Sequence, residues 1–269
     1  MNRIIFPIKK ELEIFEKDLK EIILLQDNFL MSDLEKFIFN NPKRLRPILI
    51  FLSAKILKID NALTNKIAII TELIHSASLI HDDIIDEEAL RRNHPTFFKK
   101  YGSKLAVLEG DLLLALALEE LGKTSLDITK IFASKIKKTI QGEINQNENL
   151  NKITNIETYF KKTNAKTANL FIAGIEALFT LGKKNENLLS FIENFALGFQ
   201  IKNDIDDFKS NKSDIKNGNY TLPMIYSSIE KSIEKVEEIK NIALEELNKI
   251  ENSIYKDSLI ELANYTLRS

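Results

Sequence analysis

Residues 81–92 read HDDIIDEEALRR. Asp82 and Asp86 stand four apart, a spacing that puts both carboxylates on one face of a helix, with Asp83 one position round. Like charges at that spacing oppose each other unless a cation lies between them. Carboxylate oxygens suit Mg2+, which keeps several waters and shares the oxygens of a bound phosphate. Arg91 and Arg92 follow within two turns, and arginine is a bidentate partner for phosphate. Acids that hold a metal, beside arginines that hold phosphate, are what diphosphate chemistry needs. Three acids alone read more readily as a solvated helix end. The apolar turns before them, ELIHSASLI, instead make them project from a buried helix.

A second acidic cluster lies far along the chain in FQIKNDIDDF, residues 199–208. Asn203, Asp204 and Asp207 repeat the spacing of the first cluster, again after an apolar helix. Two such clusters facing a common cleft would bridge metal ions to one diphosphate.

The elements that must position these groups read as helices. Glycine (8) and proline (5) are scarce, so helices can run long. Apolar residues at Leu12, Phe15, Leu19, Ile22 and Ile23 mark a first amphipathic helix. Pro47 falls in the first turn of a second. Further helices are expected over Lys66–Glu87, Ser103–Leu121, Asp127–Gln146, Thr158–Leu181 and Asn187–Phe208, and after Pro223 to the end. Nothing alternates with period two for long enough to make a sheet. The polar stretches Gln146–Ile153 and Lys209–Tyr220 read as loops. One all-α domain is expected over residues 1–269.

Composition narrows the function. A net charge of −1 argues against a nucleic-acid binder working through a basic surface. The absence of cysteine rules out disulfides and cysteine-held zinc, and fits a reducing compartment. The N-terminus does not read as a secretory signal and no stretch reaches about 20 apolar residues, so a cytoplasmic protein without a membrane span is expected.

From about Lys43 to Pro223 the chain resembles the trans-prenyl diphosphate synthases, the polyprenyl synthetase family. Five motifs carry the likeness in order: KRLRP at 43–47; Asp82, Asp83 and Asp86 with Arg91 and Arg92; Gly110-Asp111; Lys166-Thr167; and Phe199-Gln200 leading into Asn203–Asp207. The resemblance implies a single large helical bundle of the isoprenoid synthase type with a central active-site cavity. It implies that Lys43, Arg46, His75 and Arg92 bind the diphosphate of isopentenyl diphosphate, and that Arg91 and Lys166 hold the allylic diphosphate. Asp82, Asp86 and Asp83 would ligate Mg2+ from one side, Asn203, Asp204 and Asp207 from the other, with two or three ions bridged by diphosphate. Thr167 and Gln200 would point oxygens at the developing allylic cation. Outside the motif order each has a plainer reading: Lys43 and Arg46 as a helix flank, His75 as a core histidine, Lys166 as a solvated lysine, Gln200 as an interhelical hydrogen bond. His94 has no role readable from the sequence.

The reaction so implied is ionisation, condensation and proton loss. The departing diphosphate must be strongly stabilised, and it can itself take the final proton. A homodimer is expected by resemblance. Small residues at Ala77 and Ser78 point to a medium or long polyprenyl product, octaprenyl-like in length, because bulky residues near there stop chain growth in the family. Four departures leave other readings open. Asn203 stands in place of aspartate, Asn219 follows Gly218 in place of lysine, Pro42 replaces a glycine, and the chain after Pro223 is short by about one helix. A partner-dependent or non-catalytic subunit of a heteromeric synthase is one alternative. A class I terpene cyclase is another, though it needs no second diphosphate site and Asn211 stands where its glutamate would be.

Overall fold

The computed structural model describes residues 1–26, 28–60, 62–91, 94–148, 155–163, 168–210 and 220–268. Among them the chain is all α apart from one minimal hairpin. The helices are α1 (Asn2–Ile5), α2 (Lys9–Leu24), α3 (Met31–Phe39), α4 (Leu45–Ile56), α5 (Ala62–Ile85), α6 (Phe97–Gly122), α7 (Leu126–Glu148), α8 (Ile156–Thr163), α9 (Asn169–Phe179), α10 (Glu186–Lys209), α11 (Leu222–Tyr226), α12 (Ile229–Asn248) and α13 (Ile254–Thr266). The hairpin pairs β1 (Leu90–Arg91) with β2 (His94–Pro95).

Most expected helices are present with shifted ends. The Lys66–Glu87 helix starts earlier, at Ala62, and ends at Ile85. Pro47 does sit in the first turn of its helix, but that helix is α4, because the short amphipathic α3 precedes it. The helix expected from Ser103 extends back to Phe97, with a break at Gly102 (φ +79°), a conformation that glycine adopts without strain. Within the expected span 158–181 the described residues hold α8, up to Thr163, and α9, from Asn169 to Phe179.

The described chain falls into two units. The first comprises Ile8–Phe51 and Asp60–Thr129. In it α5 lies along α6, its most extensive helix pair, and α2 packs on α5 and α3. Phe15, Leu19, Leu34, Ile67, Leu73 and Leu113 are completely buried there. The second comprises Met1–Pro7, Leu52–Ile59 and Lys130–Ser269. Here α10 lies along α12 and also touches α8, α9 and α11. Phe191 and Phe195 of α10 are fully buried, and Gly198 allows close approach, since a Cβ there would come within 3.1 Å of Leu267. Side-chain oxygens cap α6, α10, α12 and α13: Thr96, Asn185, Ser228 and Ser253 each accept from the backbone N–H three residues on. No helix among the described residues is long and apolar enough to cross a membrane.

Candidate active site

In the first unit the acids sit at the end of α5. The helix is apolar on nearly every side, with Ile67, Ala68, Ile70, Leu73, Ala77 and Ile80 buried, so its C-terminal turn is anchored by its own core. It closes in a Schellman turn. Glu87 takes φ +50°, its N–H reaches Ile84 O at 3.3 Å, and Glu88 N–H reaches Asp83 O at 2.9 Å. Asp86 N–H still bonds Asp82 O at 2.8 Å, so the two residues remain in helical register, both half-buried.

Asp83 turns inward and is 2% exposed. Its Oδ1 accepts from Arg91 Nη2 at 2.6 Å and from Arg91 Nε at 2.8 Å. Burial pushes the Asp83 carboxyl above the usual aspartate range, and Arg91 offsets this only in part. The hairpin delivers Arg91 to that point, in the register Leu90↔Pro95 and Arg91↔His94. Thr96 closes it, donating its N–H to Ala89 O at 3.1 Å and its hydroxyl to Glu88 O at 2.6 Å. Arg92 lies outside the described residues.

The Gly110-Asp111 pair has a packing reason. The His81 ring lies so close to α6 that a Cβ on Gly110 would come within 2.3 Å of Nε2, and that nitrogen is 3.4 Å from Asp111 Oδ1.

The KRLRP segment begins in strained backbone, with positive φ at Asn41 (+51°) and Arg44 (+49°). Lys43 is exposed and Arg46 half-buried. Burial pulls Arg46 down to about 10, and the negative Glu72 resists this. Arg44 is buried and ion-paired with Glu16 and Glu72. Asn40 Nδ2 is 3.0 Å from His94 Nε2, which links this segment to the Arg91 hairpin. His75 is half-buried on α5, one turn beyond Glu72.

In the second unit, Asp204 is 5% exposed and both its oxygens are engaged. Tyr159 Oη donates to Oδ2 at 2.6 Å and Gln200 Nε2 to Oδ1 at 2.7 Å. Asn203 and Asp207 are half-buried, while the exposed Asp206 pairs with Lys202 at 2.6 Å. Lys166 and Thr167 lie outside the described residues, as does nearly all of the loop expected at 209–220.

The two motifs share a design. In each, the middle acid is buried and bonded to another predicted site residue, while its neighbours are half-buried. Among the described residues no group of three or more histidine, aspartate and glutamate side chains converges as a metal centre. The half-buried Asp82 and Asp86, held in helical register, have the chemistry that suits Mg2+, which is ordinarily held by one or two carboxylates together with phosphate oxygens. Sequence reasoning did not single out Tyr159, which bonds Asp204, or the Arg44 cluster with Glu16 and Glu72. Glu72 alone left a signal, a charge inside an otherwise apolar run.

Residues 28–257 match the model of a known family, Polyprenyl synthetase. A prenyl transferase of Synechocystis sp. (strain ATCC 27184 / PCC 6803 / Kazusa) is 30% identical over 310 aligned positions, covering 97% of this chain and 96% of that one. The chloroplastic solanesyl diphosphate synthase 1 of Arabidopsis thaliana is 33% identical over 237 residues, 81% of this chain and 58% of that protein. Among solved structures, a polyprenyl synthase from Caulobacter crescentus CB15, complexed with calcium and isoprenyl diphosphate, superposes with a TM-score of 0.90 at 22% identity, over 100% of this chain and 97% of that one.

Proposed function

The chain belongs to the polyprenyl synthetase family of prenyltransferases, and from that premise we propose that it condenses isopentenyl diphosphate with an allylic diphosphate, head to tail and trans, to give a medium- or long-chain polyprenyl diphosphate. One observation carries the proposal: Asp82 and Asp86 stand together at the end of α5, and the intervening Asp83 grips Arg91.

Asp82 and Asp86, and in the second motif Asn203 and Asp207, would hold Mg2+ ions bridged by diphosphate, with Asp83 and Asp204 as the remaining acids of each set. When bound, the ions neutralise the diphosphate as it departs. The calcium and isoprenyl diphosphate held by the Caulobacter structure support this reading. Arg91, with Lys166, would bind the allylic diphosphate. Lys43, Arg46, His75 and Arg92 would bind that of isopentenyl diphosphate. Gln200 donates its amide N–H to Asp204, which orients the amide so that its oxygen lies on the opposite side. With Thr167, it would present an oxygen to positive charge on the allyl group. The departing diphosphate serves as base, so no side chain has to take the proton.

Both carboxylate sets would serve one reaction within a single functional domain. Val107 (41% exposed), Leu108 (62%) and Leu118 (63%) of α6 support a second copy of the chain as partner, and light scattering tests it. A cytoplasmic setting agrees with the lack of cysteine and is tested by cell fractionation.

The decisive experiment incubates the protein with labelled isopentenyl diphosphate, Mg2+ and, separately, geranyl, farnesyl and geranylgeranyl diphosphates, with Asp82→Ala as control. Elongation that disappears in the control is the expected result. A folded protein that elongates no primer overturns the proposal in favour of a partner-dependent subunit. Primer consumed alone to a cyclic hydrocarbon marks a terpene cyclase.

A further inference from the structure

Arg44, in the KRLRP segment, is held on several sides. Its Nε and Nη2 donate to the two oxygens of Glu16 on α2 at 2.7 and 2.9 Å, and its Nη1 donates to Glu72 Oε1 on α5 at 2.7 Å. The guanidinium also lies 5.5 Å from the Phe15 ring centroid and 5.4 Å from that of Phe39. The residue is 7% exposed and its backbone is left-handed at φ +49°. A non-glycine residue persists there only where its surroundings over-determine it. Burial works against the charge on Arg44, but the Glu16 bonds and the Glu72 carboxylate outweigh it and hold the group above its ordinary value.

Glu72 is itself 7% exposed and lies near two cations. It is bonded directly to Arg44 and acts through space on Arg46. With Arg44 in place, its negative charge is bound at one edge of the guanidinium fork. Without Arg44, a buried carboxylate is left needing a cation, and Arg46 is the next along the chain. An Arg46 drawn to Glu72 is an Arg46 withdrawn from a phosphate.

We propose that Arg44, clamped between Glu16 and Glu72, is a positioning residue for the isopentenyl diphosphate site: it fixes the turn that presents Lys43 and Arg46 and keeps Glu72 from competing with the diphosphate for Arg46. This rests on the reading of Lys43, Arg46 and His75 as the ligands of that diphosphate. Arg44 itself is spent internally and acts through its neighbours.

The test is steady-state kinetics on the full chain, varying each substrate separately, with thermal melts alongside. Arg44→Gln should raise KM for isopentenyl diphosphate about tenfold or more, with kcat and KM for the allylic substrate changed less than about twofold. Arg44→Lys, which keeps the charge but loses the fork, should fall in between. The discriminating variant is the double substitution Arg44→Gln with Glu72→Gln. Removing the competing carboxylate should recover much of the lost affinity, whereas a purely structural role for the cluster predicts further loss. Should Arg44→Gln fail to fold, Glu16→Gln, on the half-exposed partner, decides by the same KM split. Lys43→Ala and Arg46→Ala separate the two layers of the argument. If neither raises KM for isopentenyl diphosphate, the assignment of that site falls. If both do while the Arg44 and Glu16 variants match wild type, or the double variant shows no recovery, the positioning role alone is overturned.

Discussion

Arg91 folds back over eight residues to place Nη2 and Nε at 2.6 and 2.8 Å from a single oxygen of Asp83. The middle acid of the first motif therefore aims an arginine. Asp83→Asn keeps the shape and removes the charge that holds Arg91. KM for the allylic diphosphate should rise about tenfold with KM for isopentenyl diphosphate unchanged. Equal losses on both substrates would contradict the assignment of Arg91.

Tyr159 is 2% exposed and bonded through its hydroxyl to Asp204. Tyr159→Phe leaves one buried carboxylate oxygen short of a donor, which costs roughly 1–3 kcal/mol. The melting temperature should drop by several degrees and kcat should fall, because Asp204 also orients Gln200. A lowered melting point with unchanged turnover would reduce Asp204 to a structural group.

Glu109 on α6 is 3% exposed, and its Oε1 has no hydrogen-bond partner among the described residues. Burial pushes its carboxyl upward. A carboxyl whose pKa is raised by folding adds stability below its unfolded pKa, and that stability is lost as pH rises through the folded one. At neutral pH the wild type thus carries a penalty that Glu109→Met removes, worth roughly 1–3 kcal/mol. Thermal melts should show the variant more stable at pH 7, with the gap narrowing below the ordinary glutamate value of 4.5. A gap that does not depend on pH would mean the gain comes from packing.

Ala77 is completely buried on α5, and the half-buried Ser78 donates its hydroxyl to His75 O at 2.8 Å. Ala77→Phe should shorten the polyprenyl product, read as a truncated ladder on reversed-phase chromatography. An unchanged ladder from a folded variant would remove this position from the control of chain length.

The two acidic motifs were legible because their spacing follows the helix period and each ends an apolar run. The partition of roles within them was not. Asp82, Asp83 and Asp86 look alike as letters, and only the hairpin that returns Arg91 makes the middle one different. Helix α3 escaped because nine residues with two buried positions, Leu34 and Ile38, give too short a period to read. The helix expected from Ser103 came out short because Gly102 is a break inside a longer α6 and not its boundary. Arg44 sits in a run of basic residues that reads as a solvated flank, and nothing nearby in the chain announces the carboxylates that bury it.

Those carboxylates tie the turn to distant parts of the chain. Glu16 and Glu72 each lie 28 residues from Arg44, one before it and one after. Each contact closes a loop of that length, whose ordering entropy opposes it until the flanking helices hold the two ends together. The turn that carries Lys43 and Arg46 therefore takes its support from α2 on one side and α5 on the other, and not from its own neighbours in sequence. A disturbance of either helix would thus reach that turn without any change in the residues of the turn itself.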